Sequence, residues 1–115
     1  MKVGIVNLGA NNHKARLKRI ATILKAISQH YGYTVEDIIG TRRWADLVWP
    51  RHAAMSLARE EGCLLREIAE VFNREHQTVI NACRSVRNLC ETEPQLAREY
   101  ERLKDMAPVS WRQLE

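Results

Sequence analysis

Residues 64–89 read LLREIAEVFNREHQTVINACRSVRNL, and the spacing within this stretch decides the fold. Over 64–72, Leu65, Ile68, Ala69 and Phe72 recur at helical intervals, which predicts a short helix with one apolar face. Asn73 breaks that helix and can cap the next one. Over 74–89 a longer helix is predicted, in which Val79, Cys83, Val86 and Cys90 face inward at spacings of four, three and four. Its opposite face carries Gln77, Asn81, Arg84, Ser85 and Asn88. A short helix, a tight polar break and a longer helix have the form of a helix-turn-helix. In such a motif the second helix enters the major groove of DNA and its first residues meet base edges. Here those residues are Arg74, Glu75, His76, Gln77 and Thr78. Gln can pair with adenine, Glu can accept from the cytosine amine, and a Thr methyl can touch thymine. Backbone N–H groups of the first turn can hold a phosphate. Periodicity alone leaves a generic helical hairpin open beside a DNA reader.

Outward from this stretch the signals stay helical. Residues 14–30 place Leu17, Ile20, Ala21, Leu24 and Ile27 on one face. Lys14, Arg16, Lys18, Arg19 and Lys25 lie on the other, either as a solvated face or as a stripe toward phosphate. The segment TVED at 34–37 opens a short helix with a hydroxyl at N-cap and an acid at N3, ending near Gly40. A basic loop follows, Thr41, Arg42, Arg43 and Trp44. A further helix is expected from Asp46 as N-cap to about Glu61, with Pro50 tolerated in its first turn, where an N–H has no partner. Leu47, Ala54, Leu57 and Ala58 face its core side, with Met55 nearby, and Gly62 ends it. Pro94 to about Met106 forms a last amphipathic helix with Leu96, Tyr100 and Leu103 on one side. The first ten residues are read as a flexible arm or a short strand, within a flexible N-terminal arm at 1–13, and 107–115 as a frayed or docking tail. The expected fold is all-α: a compact helical domain of about five to six helices containing the helix-turn-helix. Its expected organisation is an arm at 1–13, the domain at 14–90, and a C-terminal helix and tail at 91–115.

A chain of 115 residues with 45% apolar and 28% charged residues is the size and composition of one globular domain. No apolar run is long enough to span a membrane, and no signal peptide is evident, so a cytoplasmic location is expected. Cys63, Cys83 and Cys90 are odd in number and irregular in spacing, which argues against a disulfide framework and against zinc. They read as small apolar residues. His13, His30, His52 and His76 fall on separate elements, with no Ser/His/Asp or Cys/His grouping. No catalytic residue, metal site, cofactor or small-molecule substrate is therefore expected. The net charge is +4. It is uneven: residues 1–90 hold 14 Lys/Arg against 8 Asp/Glu, and residues 91–115 hold 4 against 6. A basic body with an acidic tail suits an anionic partner such as nucleic acid, or is an ordinary basic surface.

The residues FNREHQTV at 72–79, preceded by Glu67 and Ile68 and followed by Ala82, Cys83 and Arg84, resemble the C-terminal DNA-binding domain of the bacterial replication initiator DnaA. Upstream, Tyr31 and Gly32, VED at 35–37, Arg42 and Arg43, Pro50 and Arg51, Ala54 and Met55, and Leu57 and Ala58 recur in the family's order. The resemblance covers about residues 20–90. It implies a helix-turn-helix of the Trp-repressor-like superfamily that binds double-stranded DNA. Carried over by position, Arg43 would enter the minor groove, and Glu75, His76, Gln77 and Thr78 would read bases in the major groove. Arg42, Arg51, His52, Arg59, Arg66, Arg74 and Arg84 would hold phosphate, and Leu65 would lie near it.

The sequence departs from the family at several points. Between Phe72 and Arg74 the family has two glycines where this chain has only Asn73, which predicts a tilted entry to the recognition helix. Glu75 and Gln77 replace the family's Asp and Thr, so a different base preference is expected. Ala45 and Trp49 stand where the family carries basic residues, which predicts weaker, less salt-dependent binding. This chain has no G-x-x-x-x-G-K-[ST] motif, so no ATP-driven step is expected of it. The expected function is sequence-specific DNA binding in control of replication initiation or transcription. Two other readings are a protein-interaction module acting on a full-length initiator and a dimeric, Trp-repressor-like regulator. The corresponding partners are duplex DNA, an initiator, or a second copy of the chain.

Overall fold

The computed structural model describes the backbone of residues 2–107 and the side chains of 13–107. The described residues form six α-helices and one 3₁₀ turn: α1 (Lys2–Tyr31), α2 (Val35–Ile39), the 3₁₀ turn (Ala45–Leu47), α3 (Val48–Glu60), α4 (Leu65–Phe72), α5 (His76–Thr92) and α6 (Pro94–Met106). The all-α expectation holds. Residues before 14, where the sequence left arm and strand open, are helical from Lys2 and continuous with α1. The tail at 108–115 lies outside the described residues.

Helix α3 is the centre of the fold. Pro50, Arg51 and the whole run 53–58 are buried, and a helix closed to water on so many sides must sit inside others. Small residues at Ala53, Ala54, Ser56 and Ala58 let its neighbours approach closely. Helices α1 and α5 pack on it most extensively, and α2 and α4 also touch it. The inward stripe of α1 is Ile20, Ile23, Leu24 and Ile27. Ala21, expected inward, is exposed, and Leu17 is half-buried. Ile38, Leu47, Met55, Ile68, Phe72, Val79 and Val86 complete the core, each essentially fully buried. On α5, Ala82 takes the buried position expected for Cys83, while Cys83 and Cys90 are half-buried at the edge of a groove. Cys63 is fully buried, and burial pushes its thiol up to about 11.

The start of α3 differs from expectation. Asp46 does not cap it; residues 45–47 make a 3₁₀ turn, and Pro50 becomes the third residue of α3. The position still needs no N–H, so proline fits for the reason anticipated.

Helix α6 is docked by polar contacts as well as by Tyr100 and Leu103. The Tyr31 hydroxyl donates to the Glu99 carboxylate, and the Trp49 indole N–H donates to the Tyr31 oxygen at 2.7 Å and to Glu99 at 3.1 Å. Tyr100 of α6 donates its hydroxyl to the Glu60 carboxylate and accepts from the Ser56 hydroxyl, both on α3. Trp49, where the resemblance implies a basic residue, thus joins α3 to α1 and α6.

Candidate nucleic-acid interface

The break between α4 and α5 is set by one residue. Asn73 has φ 52° and ψ 51°, the left-handed conformation that ends helices. The Arg74 N–H bonds the Ala69 carbonyl at 2.8 Å and the Asn73 N–H bonds that of Glu70 at 3.1 Å. This pair is a Schellman closure, which satisfies carbonyls the helix would otherwise leave open. Gly is the usual residue there because it lacks a Cβ, and Asn is the next most tolerant. Asn73 therefore ends α4 rather than capping α5. The recognition helix begins two residues later than its sequence suggests, at His76, with Glu75 in the N-cap position.

The other end of α4 is held by Glu67, which is 1% exposed. Its carboxylate accepts from the Leu64 N–H at 2.8 Å, from Arg16 Nε at 2.8 and 3.0 Å, and bonds His13 Nδ1 at 2.8 Å. Burial alone would raise its pKa. Arg16, the Leu64 N–H and His13 outweigh burial and take it down to about 2. The basic face of α1 is accordingly divided. Arg16 pairs with Glu67 and Arg19 turns inward to the Glu61 carbonyl at 3.2 Å, whereas Lys14, Lys18 and Lys25 remain exposed.

With both ends of α4 fixed, the outer face of α5 is open. His76, Gln77 and Thr78 are exposed in its first turn. Gln77, Asn81, Arg84 and Asn88, spaced four, three and four apart, are exposed along one line. Gln77 donates to Asn81 at 3.0 Å, which orders the two amides along the helix. Asn81, Arg84, Ser85, Asn88 and Leu89 line a shallow depression there. Such a row of donors and acceptors with no apolar cover is the surface expected of a helix that reads base edges.

The basic loop follows the end of α2, whose Ile39 and Gly40 carbonyls accept from Arg74 in the turn before α5. Arg42 is within 3.7 Å of the Asp37 carboxylate and its guanidinium lies 4.7 Å from the centre of the Trp44 ring. Trp44 is 48% exposed, a large apolar surface in a polar loop that sequence reasoning passed over. Arg43 is exposed. Arg51 and Arg74, both expected to hold phosphate, point the other way. Arg51 is buried and donates to the carbonyls of Ile38 at 2.7 Å, Asp37 at 2.9 Å and Arg42 at 3.0 Å. Arg74 donates to the carbonyls of Gly40 at 2.6 Å, Phe72 and Ile39. Both face the C-terminal carbonyls of α2, which a five-residue helix cannot satisfy by itself.

The remaining predicted residues divide similarly. Arg66 and Arg84 are exposed. Arg59 caps the turn after α3 by donating to the Cys63 carbonyl at 2.9 Å, and it lines a groove of about 360 Å³ between α3, α5 and α6. His52 is half-buried, and burial followed by the neighbouring Arg51 charge lowers its pKa, so it is neutral near pH 7. Leu65 is half-buried at the start of α4, beside an exposed Leu64. In the linear sequence Glu67 stands out only as a motif residue. Its three-residue spacing from Leu64 is half of a capping box, hidden because the N-cap residue is not Ser or Thr.

The family model described as the bacterial dnaA protein helix-turn-helix matches residues 20–86, which run from the α1 core stripe to the middle of α5. The chain belongs to that family. A solved structure of a DNA replication initiation factor superposes with a TM-score of 0.77 at 27% identity. The match covers 92% of this chain and 35% of that protein, so this chain spans about a third of its length. The bundle and its helix-turn-helix are thus of the DnaA DNA-binding type. Among the described residues no group of three or more His, Cys, Asp or Glu is placed to hold a metal, and no helix is long and apolar enough to cross a membrane.

Proposed function

We propose that this chain binds duplex DNA sequence-specifically, in control of replication initiation, by laying the open face of α5 in the major groove. The carrying observation is that face: His76, Gln77 and Thr78 exposed in the first turn, with Asn81, Arg84 and Asn88 continuing the row. Family membership and likeness to an initiation factor support the process. Glu75, His76, Gln77 and Thr78 read bases, and Arg43, exposed in the neighbouring loop, enters the minor groove. Arg42, Arg66 and Arg84 supply charge to phosphates. Arg59, bound to the Cys63 carbonyl, and the half-buried His52 contribute less. The reading requires no nucleotide or metal.

Selection of bound duplexes from a random pool tests the reading. An enriched motif is expected, and its symmetry reports whether one copy or a two-fold pair binds. Equal retention of all sequences at low salt would reject specific recognition. No retention at all would instead favour a module that contacts an initiator protein.

A further inference from the structure

The loop carrying Arg43 and the turn entering α5 are far apart in sequence, yet one cluster of hydrogen bonds joins them. Helix α2 has five residues and ends at Gly40 in extended backbone, with φ −77° and ψ −168°. No helix continues to receive its last carbonyls, and no left-handed closure forms. The carbonyls of Asp37, Ile38, Ile39 and Gly40 accept instead from the two guanidinium groups of Arg51 and Arg74. Arg51 comes from the first turn of α3, and Arg74 from the turn between α4 and α5. Arg51 also holds the carbonyl of Arg42, one residue before Arg43. Arg74 holds the carbonyl of Phe72 and stands two residues before His76. The packing at this point is tight: a Cβ on Gly40 would lie 2.6 Å from the Glu36 carbonyl oxygen.

We propose that Arg51 and Arg74 are positioning residues that clamp the basic loop to the entry of the recognition helix, so that Arg43 and the first turn of α5 meet DNA as one rigid unit. The proposal rests on the duplex-DNA reading above. Burial and donor geometry separate this role from phosphate binding: Arg51 is 9% exposed, and its Nε and Nη2 face carbonyl oxygens. A planar fork with five donors can serve several carbonyls at once, whereas a lysine ammonium brings a point charge on a flexible stem. A clamp on several carbonyls therefore tolerates Lys poorly, whereas at a phosphate Lys still supplies its charge as a point donor.

The test uses the duplex selected from the random pool, an unselected duplex, and the variants R43A, R51K, R51Q, R74K and R43A/R51K. Thermal melts followed by circular dichroism establish that each variant is folded. The clamp predicts that R51K loses about tenfold on the selected duplex, close to the loss from R43A. It further predicts that R51K is no better than R51Q, and that the double variant loses little more than either single one. Binding to the unselected duplex should stay within about twofold, since no phosphate contact is removed. R74K is expected to follow R51K, and it carries the test if changes at the buried Arg51 prevent folding. R51K within twofold of the parent overturns the clamp, as do losses from R43A and R51K that multiply. A neutral R43A beside a costly R51K overturns instead the reading of Arg43 as a DNA contact, so the two failures are distinct.

Discussion

Two polar regions of this molecule, the elbow after α2 and the outer face of α5, use similar side chains in opposite ways. At the elbow, Arg51 and Arg74 turn inward to backbone carbonyls. On α5, Gln77, Asn81, Arg84 and Asn88 turn outward, with one Gln77–Asn81 bond between them. The difference lies in the local backbone. A five-residue helix leaves nearly all its carbonyls in need of donors from elsewhere, whereas the 17-residue α5 satisfies most of its own and leaves only those of its last turn. Side chains on a self-sufficient helix are left over for a partner. Arginine alone therefore does not mark a phosphate site; the needs of the surrounding backbone decide where its fork points.

The change with the largest expected effect breaks both regions together. Phe72 is fully buried where α4 ends, just ahead of the turn to α5. Phe72→Ala should cost roughly 3–5 kcal/mol of stability by leaving a cavity, read by urea denaturation. A loss under 1 kcal/mol would mean that the core does not depend on this anchor. The next change acts on the outward region alone. His76→Ala or Gln77→Ala should cost roughly 1–3 kcal/mol of binding to the selected duplex and leave the melting temperature unmoved. Parental affinity in both variants would place recognition elsewhere.

A pH titration sharpens the contrast on the inward side. The Glu67 carboxyl is held at about 2, below its ordinary value near 4.5. Its contribution to stability is therefore complete above about pH 4.5 and lost as pH falls toward 2. Melting temperatures recorded over that window should fall more steeply in the parent than in Glu67→Gln. Parallel curves would show that the Arg16–Glu67 pair has no energetic weight. The smallest effect concerns the turn between the regions. Asn73→Ala should cost about 1 kcal/mol, the strain of a Cβ in left-handed backbone without a local side-chain bond. Asn73→Gly should be neutral or slightly stabilising, and comparable losses in both variants would put the cost in the Asn side chain instead.

Much of this was legible in the chain. The 3.6-residue periodicity of 64–72 and the Pro94–Met106 span of α6 appear as read. Tyr100, Leu103, Ile68 and Phe72 are buried as their spacing requires. Asn73 is recognisable as a breaker, but whether it closes one helix or opens the next depends on a single φ angle. The arginines were the least legible, because Arg16, Arg19, Arg51 and Arg74 look like surface charge in a linear pattern. Each finds its acceptor on another element, Arg16 on Glu67, Arg19 on Glu61, Arg51 on residues of the α2 end and Arg74 on Gly40. Cys83 shows a milder form of the same limit: the wheel puts it inward, and the edge of the groove beside α6 leaves it half open.

By itself, then, the sequence determined the helical class, the place of the helix-turn-helix and the family, because periodicity, breakers and motif order are local and written along the chain. Only the tertiary structure decided which polar groups face outward. That choice is made where distant segments meet, by backbone carbonyls and buried carboxylates that must find donors. At the elbow the donors come from α3 and from the turn before α5, a juxtaposition no linear spacing records.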